Sequence, residues 1–300
     1  KVDVNICDSV YQEKPLHHAA RRGHQAAVEL LIDANAVVDA KDKRNATPLE
    51  FAAENGHSAV VQALIDSRAS VGSVQPLVRA ACGGHTGVVQ LLLAAKARFT
   101  KHRDDDFLLY SAAQSGDTAL IKMLINTKIS IDSTGWGSVT ALHRAAESEN
   151  ALAIRPLINA KANVDARDSD KQTPLHLAAS WGRSGAVQVL VDAAAAVDVV
   201  DSRGMTPLHL AAEDDHSAAI QVLLDAKATP DVRNKLGRTP LHHAAAFGYC
   251  ASVQVLVDAR AAVDVGDSEG MTALHLAVLR GHTALVPILA DPKQTYGARS

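Results

Sequence analysis

The chain has 300 residues, of which 47% are hydrophobic, 21% are charged and only 3% are aromatic, and its formal net charge is −3. This charge gives no general electrostatic attraction to nucleic acid or to an anionic membrane surface, so we expect neither as a partner. No apolar run reaches 18 residues, and direct membrane insertion is therefore not predicted.

The three cysteines, Cys7, Cys82 and Cys250, are far apart and form no C-x-x-C pair. This spacing argues against a disulfide framework and against a zinc site. We expect an intracellular protein, in the cytoplasm or another reducing compartment. The sequence begins with Lys, and residues 4–8 already resemble the inside of a repeat, so we expect an upstream segment, with any targeting signal, to be missing.

The predicted elements recur along the chain as copies of one heptapeptide, TPLHLAA at residues 173–179. Related segments begin at Lys14, Thr47, Gln75, Phe107, Thr140, Thr173, Thr206, Thr239 and Thr272. Their starts are 33 residues apart, except for intervals of 28 and 32 on the two sides of Gln75. A fixed period of this length indicates a repeat architecture.

Each heptapeptide predicts the start of a helix. The Thr hydroxyl can accept a hydrogen bond from the first turn, and Pro suits the first helical position. Leu, His and the Ala pair then form a stripe at helical spacing. A Gly-His pair, such as Gly23 and His24, leads into a second helix, and an Asp-x-x-Gly turn at residues 201–204 is typical of the end of a unit.

This pattern resembles the signature of the ankyrin family, T-P-L-H-x-A repeated every 33 residues, over nearly the whole chain. The resemblance implies an all-α solenoid of nine helix-turn-helix units joined by projecting β-hairpin fingers. One unit cannot bury its own apolar face, so stacked units share a continuous core. We expect one domain over residues 1–290 and a C-terminal tail, residues 291–300, without a repeat pattern.

In chain order, the first four units depart most from the pattern. Lys14 replaces the capping Thr of the first unit, and Glu50 replaces the His of the second. Gln75 and Phe107 replace Thr in the third and fourth units. Because a lost cap costs about 1 kcal/mol, we expect residues 75–125 to be the least stable part of the array.

The 28-residue interval indicates that residues are missing from the finger before Gln75. The missing residues could leave a notch that seats a partner or that lets the stack of repeats bend. The alternative, which we favour, is a deletion that is tolerated and has no function. Residues 101–106, KHRDDD, place charge on the next finger. Pro156 and Pro287 come early in second helices, where they predict shifted helix starts.

No constellation of residues predicts catalysis. Most of the 14 histidines occupy one of two repeat positions: His17, His143, His176, His209, His242 and His275, or His24, His57, His85, His216 and His282. Ser, Cys and carboxylate residues show no nucleophile–base arrangement, and no phosphate-binding glycine motif is present. We therefore expect a protein that is not an enzyme, with no catalytic residue, no metal and no cofactor. An enzyme would need a catalytic domain outside these residues.

Cations replace the usual Gly at the end of several second helices. These residues are Arg68, Lys96, Lys128, Lys161, Lys227 and Arg260. A cation at a helix C-terminus is favoured by about 0.3–1 kcal/mol. These cations are therefore either solvated charges that cap the helices or a basic strip for an acidic partner. We favour the first interpretation, because Asp residues two positions earlier cancel much of the positive charge.

The resemblance also implies a binding surface, since the residues that the family varies line its concave face. In this sequence they are Trp136, Val139, Trp181, Met205, Leu236, Phe247, Met271 and Leu279. Both tryptophans of an aromatic-poor chain fall in this set, and apolar clusters of this kind indicate an interface. The alternative is that Trp136 folds back on its own finger and Trp181 covers the adjacent repeat.

Together these features predict a non-catalytic scaffold or adaptor that binds a protein partner on its finger and first-helix face. The alternative is a permanent structural subunit of a large assembly, with both faces covered. Fold alone does not identify a partner.

Overall fold

The computed structural model describes residues 3–95, 104–127, 129–148 and 151–290. The chain divides into two compact units, Lys1–Ser133 and Thr134–Ser300. The described residues are helical and contain no assigned strand, which confirms the all-α fold class. A single domain over residues 1–290 stays a prediction, and the expected tail, residues 291–300, lies outside the described residues.

The first unit contains four helix pairs in its described residues. They are α1 (Pro15–Arg22) with α2 (Gln25–Asp33), α3 (Pro48–Glu54) with α4 (Ser58–Asp66), α5 (Gln75–Cys82) with α6 (Thr86–Ala94), and α7 (Asp104–Ser115) with α8 (Thr118–Asn126). The first helices α1, α3, α5 and α7 pack in one row, and the second helices in another.

The second unit repeats this arrangement five times. Its pairs are α9 (Ala141–Glu147) with α10 (Ile154–Asn159), α11 (Pro174–Ser180) with α12 (Ser184–Asp192), α13 (Pro207–Glu213) with α14 (Ser217–Asp225), α15 (Pro240–Phe247) with α16 (Cys250–Asp258), and α17 (Ala273–Leu279) with α18 (Val286–Ala290). Three-residue 3-10 helices cover Trp136–Ser138, Ala151–Ala153 and Thr283–Leu285. The core lies between the two rows, where the heptapeptide Leu and Ala residues, such as Leu208, Ala211 and Ala212, are buried.

The His of the heptapeptide forms hydrogen bonds both to the start of its own helix and to the next repeat. His209 Nδ1 lies 3.1 Å from the backbone nitrogen of Thr206 and 2.8 Å from its hydroxyl, and Nε2 lies 3.0 Å from the carbonyl oxygen of Arg238. Since a carbonyl can only accept, Nε2 carries the proton and Nδ1 accepts. His143, His176 and His242 make the same pair of contacts.

The His at the Gly-His position, which Asp215 and His216 occupy in the seventh repeat, links the repeats in the opposite direction. His216 Nε2 lies 2.9 Å from the carbonyl oxygen of Ser180, at the end of the previous first helix. His57, His85 and His282 make equivalent bonds to the preceding repeat. Each bond pairs a polar group at a repeat boundary, which would otherwise be costly to bury.

Several expectations about the ends of helices are confirmed, and others are corrected. Pro156 and Pro287 lie in the first turns of α10 and α18, each after a 3-10 turn, so both helix starts are shifted as predicted. The third unit lacks a side-chain cap, but its helix begins at Gln75 after Val74. Helix α7 begins at Asp104 rather than near Phe107, so residues 104–106 form a helical turn and not a finger; residues 101–103 lie outside the described part.

The fingers differ from the expected two-stranded hairpins. One isolated bridge, between Thr134 and Thr140, is the only strand-like pairing among the described residues. The finger at residues 201–205 is instead a tight turn, in which the backbone nitrogen of Asp201 donates to Met205 O at 2.9 Å and that of Gly204 donates to Asp201 O at 3.1 Å.

Candidate functional site

A side-chain carboxylate or amide oxygen shapes four fingers of the second unit. Asp201 Oδ1 accepts hydrogen bonds from the backbone nitrogens of Arg203, at 2.7 Å, and Met205, at 2.8 Å. Asp168, Asn234 and Asp267 bind the N–H groups two and four residues ahead in the same way. The chain is therefore turned by its own side chain, and the residue before each Thr is held in a fixed position.

Backbone hydrogen bonds also join neighbouring fingers at their tips. Ser202 N donates to Asp170 O at 2.8 Å, Lys235 N to Arg203 O at 3.2 Å, and Ser268 N to Leu236 O at 3.0 Å. The fingers of the second unit therefore form one connected edge beside the row of first helices. We call this surface, fingers plus first helices of Thr134–Ser300, the finger face.

The finger face contains a cleft between the fingers and helices α13 and α15. Its volume is about 460 Å³, within the usual range of binding pockets, about 300–1,000 Å³. Three residues of the predicted surface line it: Met205, Leu236 and Phe247. Leu236 and Phe247 are 59% and 49% exposed, whereas Met205 is only 2% exposed and forms the floor of the cleft.

The polar residues of the cleft are held by one another. Asn234 Nδ2 donates to His243 Nε2 at 3.0 Å and lies 3.1 Å from Met205 Sδ. His243 Nδ1 lies 3.6 Å from Glu213 Oε1. Burial, followed by the nearby His209 and Arg238, lowers the pKa of His243 to about 3, so this imidazole is neutral. Burial raises the pKa of Glu213.

A smaller apolar hollow of about 420 Å³ lies at the last described repeat. Met271 and Leu279 of the predicted surface line it, together with Leu274 and Val278. Leu279 is 70% exposed, and Met271 is partly exposed.

The remaining predicted surface residues lie outside both hollows. Trp136 is 97% exposed, so its ring is not covered by its own finger, and Gly137 beside it accepts a 2.7 Å hydrogen bond from Ser169 N. Trp181 follows α11 and is 56% exposed, and Val139 is partly exposed. Two large aromatic side chains thus face solvent in the first two repeats of the second unit.

The cations of the predicted basic strip are exposed where the structure describes them. Arg68, Lys161, Lys227 and Arg260 are exposed and have left-handed φ values of 63–70°. Lys96 and Lys128 lie outside the described residues. The aspartates nearby are held by glutamines one turn earlier, as in the 2.8 Å bond from Gln221 Nε2 to Asp225 Oδ1. Opposite charges alternate here, which is the pattern of a solvated helix end.

The first unit has a polar cleft of about 530 Å³. Two of its cations are paired internally: Arg21 donates to Glu13, and Arg79 Nη1 lies 2.6 Å from Glu54 Oε2. The Arg21 guanidinium also stacks 4.0 Å from the centre of the Phe51 ring. Arg44 also lines this cleft and is exposed, with its guanidinium 5.8 Å from the centre of the Tyr11 ring, so carboxylates neutralise two of the three guanidinium groups.

Sequence reasoning missed the charged rim of the second-unit cleft: Arg203, Lys235, Arg238 and Arg280, together with Glu213 and His243. A signal was available for five of them. Arg203 and Lys235 occupy finger tips, and Arg238 occupies the same pre-Thr position as Met205 and Met271. Arg280 and Glu213 occupy the repeat positions of Phe247 and Leu279, whereas His243 lies at none of these positions.

Comparison with known proteins agrees with the architecture. A family model described as ankyrin repeats (3 copies) matches residues 1–75, 77–168, 142–234 and 218–299. No curated protein is significantly similar to the sequence. Within the described residues, no helix combines the length and apolar character needed to cross a bilayer.

Proposed function

The chain belongs to the ankyrin repeat family, and from this premise we propose that it is a non-catalytic scaffold or adaptor that binds a protein partner on its finger face. Ankyrin repeats generally mediate protein–protein interaction. The observation that carries the proposal is the cleft at Met205, Leu236 and Phe247, which exposes apolar side chains beside polar groups that are already held in place. Exposed apolar surface with a polar rim is typical of an interface.

The exposed aromatic residues extend this interface along the same face. Trp136 and Trp181 stand in solvent, and Phe247 is half exposed while it stacks on Tyr249, with ring centres 5.7 Å apart. Aromatic side chains supply a large share of the energy at protein interfaces, at low entropic cost because they have few rotatable bonds. We therefore propose that Trp136, Trp181 and Phe247 are contact residues.

Affinity capture followed by identification and calorimetry of the purified partner tests this proposal. The variant Trp136→Ala/Trp181→Ala/Phe247→Ala should lose binding with an unchanged far-UV circular dichroism spectrum, because all three rings are about half uncovered or more. A matched control removes an exposed leucine from a second helix, Leu30→Ala. Undiminished binding by the triple variant would refute the proposal.

One observation favours the second candidate, a permanent subunit of a larger assembly. Leu30 in α2 and Leu152 before α10 are large apolar residues that are exposed away from the fingers. A subunit enclosed on both faces would cover them. Measurement of the mass of the native particle separates the two candidates, since an adaptor in its free form should occur as a 31.6 kDa species if these residues are the whole chain.

We also propose a reducing, intracellular compartment, supported by three cysteines that are exposed and unpaired in the described residues. Neither nucleic acid nor membrane insertion is part of the proposed activity.

A further inference from the structure

The second-unit cleft is positively charged although the chain as a whole is acidic. Arg203, Lys235, Arg238 and Arg280 line it, and Glu213 is the one carboxylate among its lining residues. The formal net charge of the whole chain is −3. A local excess of cations on an acidic protein attracts anionic groups to that place.

The four cations are not equivalent. Arg238 Nε lies 3.1 Å from Asp267 Oδ2, and Arg203 Nε lies 3.4 Å from Asp201 Oδ2, so these two guanidinium groups are partly neutralised by carboxylates beneath them. Lys235 and Arg280 are exposed and form no ion pair with any described residue. Their charges therefore remain available to a partner.

Between these cations the cleft is apolar. Met205 is the buried apolar residue of its lining, and Leu236 and Phe247 are about half exposed, one on a finger and one at the end of α15. The His243 imidazole is tied to Asn234 and adds no charge. The site thus combines a hollow for an uncharged side chain with two unpaired cations at its rim.

We propose that the occupant of this cleft is an acidic segment of a partner protein, which inserts one apolar side chain between Leu236 and Phe247 and places carboxylates near Lys235 and Arg280. The inference rests on the proposed function and specifies the chemistry of its partner. A nucleic acid would also be attracted to the rim, but its backbone carries charge at every step and offers no apolar side chain to the hollow.

The test is a selection of random short peptides on the full-length chain. Only peptides that lose binding to Leu236→Ser/Phe247→Ala are kept, which restricts the set to ligands of the cleft. These peptides should be enriched in Asp and Glu on either side of an apolar residue, relative to the starting library. Their affinity should fall as salt is raised, because the rim charges are exposed to solvent.

Charge reversal then tests the role of the rim. Lys235→Glu/Arg280→Glu should weaken the selected peptides by about tenfold or more. The matched control, Lys122→Glu/Arg155→Glu, reverses two exposed cations on second helices and should change affinity by less than about twofold. Measurement of thermal unfolding for each variant verifies that the fold is retained.

Four outcomes would overturn the inference: neutral or basic peptides bound in the cleft, an effect of the rim reversal no larger than that of the control, no peptide that depends on Leu236 and Phe247, or a single-stranded oligonucleotide that displaces the selected peptides. The first two leave the proposed function standing, because peptides would still bind the finger face. Conversely, a natural partner that binds the Trp136→Ala/Trp181→Ala/Phe247→Ala variant with undiminished affinity would refute the proposed function, whatever the result with the peptides.

Discussion

The imidazole of His282 lies directly against Gly248. A Cβ added to Gly248 would lie 2.6 Å from His282 Nδ1, while Nε2 of the same ring is 3.1 Å from the carbonyl oxygen of Ala246. Gly248 also has a φ of 80°, in the left-handed region. Glycine is therefore required here for two reasons, its backbone conformation and the space that it leaves for a ring from the next repeat.

Replacement of Gly248 by Ala should separate these two reasons. Gly281 is the matched control, because it occupies the same motif position with a φ of 77°, and a Cβ added to it would meet no described atom within 4 Å. Gly281→Ala should lower the free energy of unfolding by about 1 kcal/mol through backbone strain alone. Gly248→Ala should lower it by about 1–3 kcal/mol more, because the His282 bond is disturbed.

Denaturant unfolding of both variants gives the comparison. In a His282→Ala background the extra cost of Gly248→Ala should largely disappear, since the ring is gone. If Gly248→Ala and Gly281→Ala lower the free energy of unfolding equally in the otherwise unchanged protein, the contact between Gly248 and the His282 ring is contradicted.

Much of the fold was predictable because the repeat period and the heptapeptide act locally. Thr-Pro places the helix start, and the Leu and Ala residues place the buried face, as at Leu208 and Ala211. The helix shifts at Pro156 and Pro287 also followed from local chemistry. The start of α7 at Asp104 did not, because nothing at Phe107 marks a helix boundary in the way that Thr-Pro does.

The candidate site was less predictable, for a physical reason. The family pattern identified Leu236 and Phe247 as variable positions but could not show that Met205 lies on the floor of a cleft, 2% exposed, beneath Asn234. The unpaired charge of Lys235 and Arg280 depends on distances between different repeats. A sequence read one unit at a time does not contain those distances.

Asp201 should be essential for the shape of its finger. Its side chain is buried and accepts two backbone hydrogen bonds, so Asp201→Ala leaves the N–H groups of Arg203 and Met205 without their acceptor. We expect a loss of about 2–3 kcal/mol in the free energy of unfolding, measured by urea denaturation.

Asp201→Asn is the internal control, because Asn234 makes the same two bonds in the next finger. The Asn variant should retain most of the stability. If Asn and Ala are equally destabilising at position 201, the finger is not shaped by this oxygen.

The buried histidines should make the protein sensitive to acid. Burial lowers the pKa of His209 from 6.5 to about 4, against the opposing effects of its bond to Arg238 and of Asp201. The folded pKa is below the unfolded value, so this contribution to stability is present above pH 6.5 and is lost as the pH falls towards 4. Its full size is about 3 kcal/mol.

The variant His209→Gln tests this contribution. The fall in unfolding free energy between pH 7 and 4 should be shallower in the variant, because an amide does not take up a proton in this range. His275→Gln, the control, changes the same motif position where the ring is exposed. Identical pH profiles for wild type and His209→Gln would contradict the assignment of a buried neutral imidazole.

Amide hydrogen exchange should distinguish the section with lost caps from the regular repeats. Helix α5 begins without a side-chain cap at Val74, whereas α13 begins at Thr206 with the Thr–His pair. We expect lower protection within residues 75–125 than within residues 175–250, since local opening costs less where caps are absent. Equal protection in the two regions would contradict this expectation. It would also favour the view that the deletion before Gln75 is tolerated without a loss of local stability.

The central claim is that a protein partner binds the finger face of the second unit, and hydrogen exchange of the purified complex tests it most directly. Binding should protect the finger segments at residues 201–206 and 234–239 and the end of α15 near Phe247, with little change in the second helices α12, α14 and α16. Protection confined to those second helices, or to the first unit, would contradict the account.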